Sequence, residues 1–262
     1  MTPYLAVASA RFRVLLQFRA AALAGIVTQT FFGLVRLMIM QAYFRAAAGP
    51  QAMSVADMPA YVWLGQALFQ MVPWTLDRDV AAQIRSGGVA YELLRPVDLY
   101  GLWYARAFAL RTAPVLLRAL PMIVIALLFG MGPPPSPASA LAFAASVAAA
   151  LALSCAVTAL VNVSMLRTVS GEGAAQTVLV TAWVFSGLVI PLPFFPDWMQ
   201  PFIRWFPFSG LLDTPLRLYT GNIPASDALE FVARQVLWTV VLVLIGRRAL
   251  AWGLRRLSVL GG

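Results

Sequence analysis

Seven charged side chains, Asp77, Arg78, Asp79, Arg85, Glu92, Arg95 and Asp98, fall within "DRDVAAQIRSGGVAYELLRPVDLYG" (77–101), in a chain that is 61% hydrophobic. Carboxylates and guanidinium groups at this spacing can form ion pairs and dock a partner, but this chain lacks the residues that would extend them into catalysis. All 19 basic residues are Arg, and there is neither Lys nor His. Without Lys there is no Walker-type phosphate loop and no Schiff base. Without His there is no Ser-His-Asp triad and no zinc site built on imidazole. The acids show no metal-ligand spacing, and the single cysteine, Cys155, lies in an apolar run, which rules out an intramolecular disulfide and a cysteine metal cluster. No catalytic residue, metal or cofactor is therefore expected in the chain itself.

A mean hydropathy of +0.81 with 11% charged residues lies far from a soluble domain, in which about a quarter of residues are charged. The expected class is an all-α integral membrane protein. A bilayer core of about 30 Å needs roughly 20 apolar residues per helix. Six stretches qualify: 20–44, 59–76, 112–131, 138–166, 174–195 and 229–250. An even number of spans puts both termini on one side. If that side is the cytoplasm, thirteen arginines (11, 13, 19, 78, 85, 95, 106, 111, 167, 247, 248, 255 and 256) lie inside and only Arg45, Arg204, Arg217 and Arg234 lie outside. This satisfies the positive-inside bias, so the formal charge of +9 reads as topology and contact with anionic lipid, and nucleic acid drops out as a partner. Arg36 and Arg118 fall within spans and are expected to snorkel to the outer and inner headgroups respectively. No Asp or Glu is placed in the interior of a span, which counts against a proton-coupled carrier. No cleavable signal is expected at the start, and the two halves show no internal repeat.

Three further pieces belong to a single transmembrane domain over 1–262. The segment 1–19 can wind as a basic amphipathic helix on the inner membrane surface or serve as a frayed lead-in to the first span. The segment 190–224 holds seven prolines and a dense aromatic set, so one continuous helix is excluded. Two short re-entrant helices, covered by protein or lining a cavity, account for its length, while an aromatic belt accounts for its composition. In the fourth span Ser146, Ala150, Ser154, Thr158 and Asn162 recur every four residues, a stripe that favours close packing over a substrate path. The opening segment is cytoplasmic in this topology. It is either a short amphipathic helix with Val80, Ile84 and Val89 on its apolar side or a solvated loop.

The succession of "QIRSGGVAYELLRPVDLYGLWYARAF" (83–108), "GLVIPLPFFPDWMQPFIRWFPF" (187–208) and "TPLRLYTG" (214–221) resembles the membrane subunits of bacterial type-two ABC exporters. The resemblance implies six transmembrane helices, an N-terminal interface helix, a cytoplasmic coupling helix within 77–101 and re-entrant helices before the last span. It implies that Asp77, Arg78, Asp79, Gln83 and Arg85 face a separate ABC ATPase, that Gly87 and Gly88 free the backbone for a reversal, and that Glu92 and Arg95 lock the turn after it. ATP and Mg would then bind the partner ATPase. A second permease subunit, identical or related, would complete the path, and the protein would reside in the bacterial cytoplasmic membrane. Phe31, Trp63, Phe69, Ser154, Thr158 and Trp183 are the candidate path residues, suited to a hydrophobic or amphipathic molecule. An ion-driven carrier and a membrane scaffold without transport activity remain as alternatives.

Overall fold

A computed structural model describes residues 3–47, 49, 51–166 and 172–257; Arg167 of the sequence reading lies outside them. Among the described residues all regular structure is helical. The helices are α1 (Pro3–Leu16), α2 (Arg19–Ala46), α3 (Met58–Ala67), α4 (Arg78–Arg85), α5 (Val89–Leu93) and α6 (Leu99–Leu128), followed by α7 (Pro137–Met165), α8 (Glu172–Phe185), α9 (Gln200–Trp205), α10 (Asp213–Thr220) and α11 (Ala228–Leu257).

Four of these, α2, α6, α7 and α11, are long and apolar enough to cross a membrane. Their 28 to 30 residues reach about 42 to 45 Å at 1.5 Å per residue. The central one is α7, which packs against α6, α8, α10 and α11. Its small residues permit this: Ser146, Ala150, Ser154, Thr158 and Asn162 are all buried, so the four-residue stripe is a packing seam. Gln235 of α11 closes the seam, its amide nitrogen donating to the Ser146 and Gly210 carbonyls while its amide oxygen accepts from the Ser146 hydroxyl.

The other two expected spans are not long helices. Residues 59–76 hold the ten-residue α3, a turn at Phe69–Met71 and then non-helical chain leading to α4. Pro73 cannot continue a helix, and α3 has already ended at Ala67. Residues 174–195 are helical only as far as Phe185, because Gly187 adopts φ +84° and Pro191 follows. The third span is longer than expected. It begins at Leu99, where the Asp98 carboxylate accepts from the Gly101 amide at 2.9 Å, so Arg106 and Arg111 lie within a helix that hydropathy had started at residue 112.

At the chain start, α1 packs along α6 with no residue of its own fully buried, and Tyr4 Oη accepts from the Asp98 amide at 3.0 Å. The 190–224 segment folds as α9 and α10 with tight turns at Leu192–Phe194 and Pro207–Gly210. α9 and the turn before it present Trp198, Phe202 and Trp205 outward, whereas α10 buries Asp213, Leu216 and Leu218 against α7 and α3.

Helix α2 meets α3 where Gly33 lies under the fully buried Trp63. A Cβ at Gly33 would come within 2.5 Å of the Trp63 ring, which is held on its other side by Phe129 with ring centroids 5.3 Å apart. Gly33→Leu is therefore expected to cost about 1 to 3 kcal/mol through overpacking. A thermal unfolding midpoint equal to that of the wild type in the same detergent would contradict this contact.

Candidate functional site

The segment 77–101 forms a braced unit. Asp77 opens α4 as its N-cap, its Oδ1 accepting from the Asp79 and Val80 amides. The same oxygen takes Arg11 of α1 at 2.8 Å, and Arg11 also reaches Asp79 at 2.9 Å. Asp77 is thus buried and tied down, and it does not lie on the exposed face expected for it. Val80 and Val89, with Ile84 beside them, seat on a cluster that includes Leu99, Tyr100, Trp103 and Val163. The reversal between α4 and α5 uses one glycine of the pair: Gly87 adopts φ +72°, while Gly88 is in the ordinary right-handed region.

The second brace comes from α6. Glu92 is buried and accepts from Trp103 Nε1 at 3.1 Å and from the Arg106 guanidinium, and Arg106 also donates to Gln83 Oε1 at 2.9 Å. Gln83 and Glu92 therefore fasten the segment to α6, while Arg95 stands exposed on the turn that follows. The surface left to solvent comprises Arg78, Asp79, Arg85, Tyr91, Leu93, Leu94 and Arg95, with Tyr91 77% and Leu94 81% exposed. Tyr91, Leu93 and Leu94 are thus large apolar side chains exposed together on an otherwise polar segment.

Beneath this unit lies Arg111, which the sequence reading had placed among the inner charges. It is the thirteenth residue of α6, about 18 Å along the helix from Leu99, and it is only 2% exposed. Its guanidinium donates to Thr158 Oγ1 at 3.1 Å, to the Val72 carbonyl at 3.3 Å and to the Thr75 carbonyl at 3.4 Å. Ser154 donates to the Met71 carbonyl, and Thr158 donates to the Ser154 carbonyl at 2.8 Å. Ser154 and Thr158, expected along a substrate path, are here buried fasteners of the chain that runs into α4.

The remaining path candidates do not converge. Trp63 is buried in the core, Phe69 stacks near Trp74 with centroids 5.3 Å apart, and Phe31 and Trp183 face outward from α2 and α8.

At the opposite end is a carboxylate that sequence reasoning passed over. Asp213, at the start of α10, is buried; it accepts from Tyr61 Oη at 2.8 Å and from the Leu192 amide at 3.1 Å, and pairs with Arg217 at 3.4 Å. Arg217 donates in turn to Asn222 at 2.7 Å, and Asn222 reaches the Ala52 carbonyl at 3.0 Å. An acid followed four residues later by Arg, in "LLDTPLRL", was the available signal. Arg36 lines a small pocket beside Tyr61 and Gly187. Arg118 turns toward the start of α2, donating to the Ala21 carbonyl at 3.3 Å over Gly25.

With this geometry in place, comparison with known proteins gives one match. The family described as ABC-2 family transporter protein covers residues 25–261, and the chain belongs to that family. Neither the curated proteins nor the solved structures give a match. Membership makes the chain the membrane component of an ABC transporter, a permease subunit without ATPase activity of its own, and such permeases generally pair with ABC ATPase subunits.

Two substitutions test the braces. Arg111→Met removes three hydrogen bonds from a charged donor, each worth about 1.5 to 3 kcal/mol, and strands two backbone carbonyls. It is expected to lower the unfolding midpoint strongly and to expose 72–101 to protease, an outcome that wild-type digestion kinetics would contradict. Arg106→Met leaves Glu92 as an uncompensated buried charge at a cost of about 3 to 5 kcal/mol, whereas the double variant Arg106→Met/Glu92→Leu should recover much of the loss. A double variant no more stable than the single one would show that the pair is not the unit assigned here.

Proposed function

We propose that this ABC-2 permease is an exporter subunit for a hydrophobic or amphipathic molecule, driven through the segment 77–101 by a separate ABC ATPase that binds ATP and Mg. The observation that carries the reading is the double bracing of that segment. Its outward surface is held by Arg11 on one side and Arg106 on the other, so a push on it is delivered to α1 and α6. Arg85, Tyr91, Leu94 and Arg95 form the contact patch, and the exposed Arg78 and Asp79 lie at its edge.

The six-span topology is part of the same proposal. α3 with the non-helical chain after it and α8 with the chain to 195 would each complete a crossing, which places both termini in the cytoplasm and 190–224 at the outer face. The arginine distribution supports this orientation. Two permease subunits, identical or related, would enclose the path in a bacterial cytoplasmic membrane, and the outward faces of α2 and α8, with Phe31 and Trp183, are available to line it. Nucleotide binding can shift the inward-open to outward-open equilibrium only as far as it favours one of the two states.

Leu94→Glu tests the contact patch. Surface changes of this kind alter stability by about 0.5 kcal/mol or less, whereas a charge at the centre of a docking surface costs at least about 2 kcal/mol of binding. The expected outcome is a normal unfolding midpoint with recovery of the ATPase subunit from native membranes reduced by more than about tenfold. Unchanged recovery and unchanged vanadate-sensitive ATP hydrolysis would place the ATPase contact elsewhere.

A further inference from the structure

The face of α2 that meets α3 and α6 carries Gly25, Gln29, Gly33 and Arg36, each about one turn after the last. The two glycines let neighbouring side chains come directly onto the helix, the Arg118 guanidinium of α6 at Gly25 and the Trp63 ring of α3 at Gly33. Gln29 lies between them. It is 5% exposed, and neither its amide nitrogen nor its amide oxygen has a hydrogen-bond partner. Trp63 Nε1, Gln66 Nε2 one turn further along α3, and Arg118 Nε are likewise buried and unpartnered. The seam on α7 is different, because there the Gln235 amide is bonded at both its nitrogen and its oxygen.

Unmade hydrogen bonds disfavour the closed form of a buried seam. α2 is also held chiefly by α3 and α6, the two helices across that seam. The charge along it has one sign. Arg118 makes a single hydrogen bond, to the Ala21 carbonyl, and Arg36, in the pocket beside Tyr61 and Gly65, makes none. Neither has a carboxylate partner among the described residues, and Asp213, which holds Tyr61, is itself paired with Arg217. Gly25, where Arg118 sits, and Arg36 are 11 residues apart, about 16 Å along α2. Between them Trp63 Nε1, like Arg118 Nε, can only donate. What these groups lack is an acceptor of hydrogen bonds that carries negative charge.

We propose that this seam is the binding site for the anionic group of an amphipathic cargo, reached when α2 swings away from α3 and α6. A carboxylate, sulfate or phosphate in the opened seam is met by Arg118 at one end and Arg36 at the other. Gln29, Trp63 and Gln66 donate to it in between. The apolar part of the cargo stays against the hydrocarbon-facing side of α2, where Val27, Phe31 and Met38 are exposed. The proposal rests on the exporter reading and narrows its cargo to an anion. The opening of the seam and its charge preference can be measured whether or not an ATPase drives them.

Gln29→Cys would be made together with Cys155→Ala, which removes the single native thiol. The full chain would be labelled in its native membranes without nucleotide, with ATP, and with ATP and vanadate. The probes are two membrane-impermeant methanethiosulfonates, the anionic sulfonatoethyl and the cationic trimethylammonioethyl reagent, each rate being divided by that with free 2-mercaptoethanol. The anionic reagent should be faster at Gln29→Cys by about tenfold or more, as in a cleft lined by one sign of charge. Arg36→Gln and Arg118→Gln should each reduce that preference, and the two together should bring it to parity. Gln66→Cys on the opposite wall is the second reporter, with melting profiles to check folding, and Val27→Cys on the exposed side of α2 should remain unlabelled. No labelling of either reporter in any nucleotide state, equal rates for the two reagents, or labelling of Val27→Cys as fast as Gln29→Cys overturns the site. Anion-selective labelling that ATP and vanadate leave unchanged upholds the site and overturns its opening by an ATPase, which separates failure of the exporter reading from failure of the seam.

Discussion

A helix that stops within a bilayer leaves carbonyl and amide groups that no water can satisfy, and each unsatisfied group costs several kcal/mol. On the six-span topology proposed above, this chain would meet that constraint twice. Where α3 ends at Ala67, the carbonyls of Met71, Val72 and Thr75 are taken by Ser154 and Arg111. The guanidinium suits the task because it offers five donors in a fixed planar fork and so reaches two carbonyls and a hydroxyl at once. Arg111 therefore sits at the junction of α6, α7 and the chain descending to α4, and the segment that faces the cytoplasmic partner in our proposal is anchored to the bundle through it.

The second break receives an acid in place of a base. α8 ends at Phe185, after which the Ser186 carbonyl accepts from the Asp213 amide at 2.8 Å and the Gly187 carbonyl accepts from Tyr61 Oη at 3.1 Å. The Asp213 carboxylate gathers the Tyr61 hydroxyl and the Leu192 amide, with Arg217 as counter-charge. Gly187 is needed here for two reasons: its φ is +84°, and a Cβ would come within 2.5 Å of Tyr61 Oη. A buried carboxylate with three donors around it is a tie. Its presence therefore restores nothing to the proton-coupled carrier that the sequence had argued against.

Hydropathy made the four long helices legible because length and apolarity are summed along the chain, and the seam on α7 followed from residues repeating every four positions. The prolines and aromatics of 190–224 likewise announced two short helices. Charge placement was what hydropathy could not resolve. Arg106 and Arg111 lowered the local average at the start of α6, so the span seemed to begin at 112, although both side chains turn inward to named acceptors. Asp77 read as a surface charge because one of its two roles, partner of Arg11, depends on a residue 66 positions away, although the other, cap of α4, is local. Ser154 and Thr158 stood in the sequence both as packing residues and as path candidates, since a hydroxyl facing a pore and one facing a stranded carbonyl are identical in sequence.

These ties decide how a push on the 77–101 segment would travel. Packed interiors shift between discrete arrangements and do not deform smoothly, so displacement passes through whichever elements are fastened together. Glu92 and Gln83 share Arg106, which joins α4 and α5 to the first turns of α6, and Arg111 one to two turns beyond joins α6 to α7 and to the end of the 72–75 chain. α7 carries the load onward, since it packs on α6, α8, α10 and α11. Movement at the 77–101 surface would reach the opposite end of the protein through α7 and α10, on which the Asp213 tie is built. On that account α2, which touches chiefly α3 and α6 and leaves Leu23, Val27, Phe31 and Met38 exposed, is the long helix freest to shift against the rest.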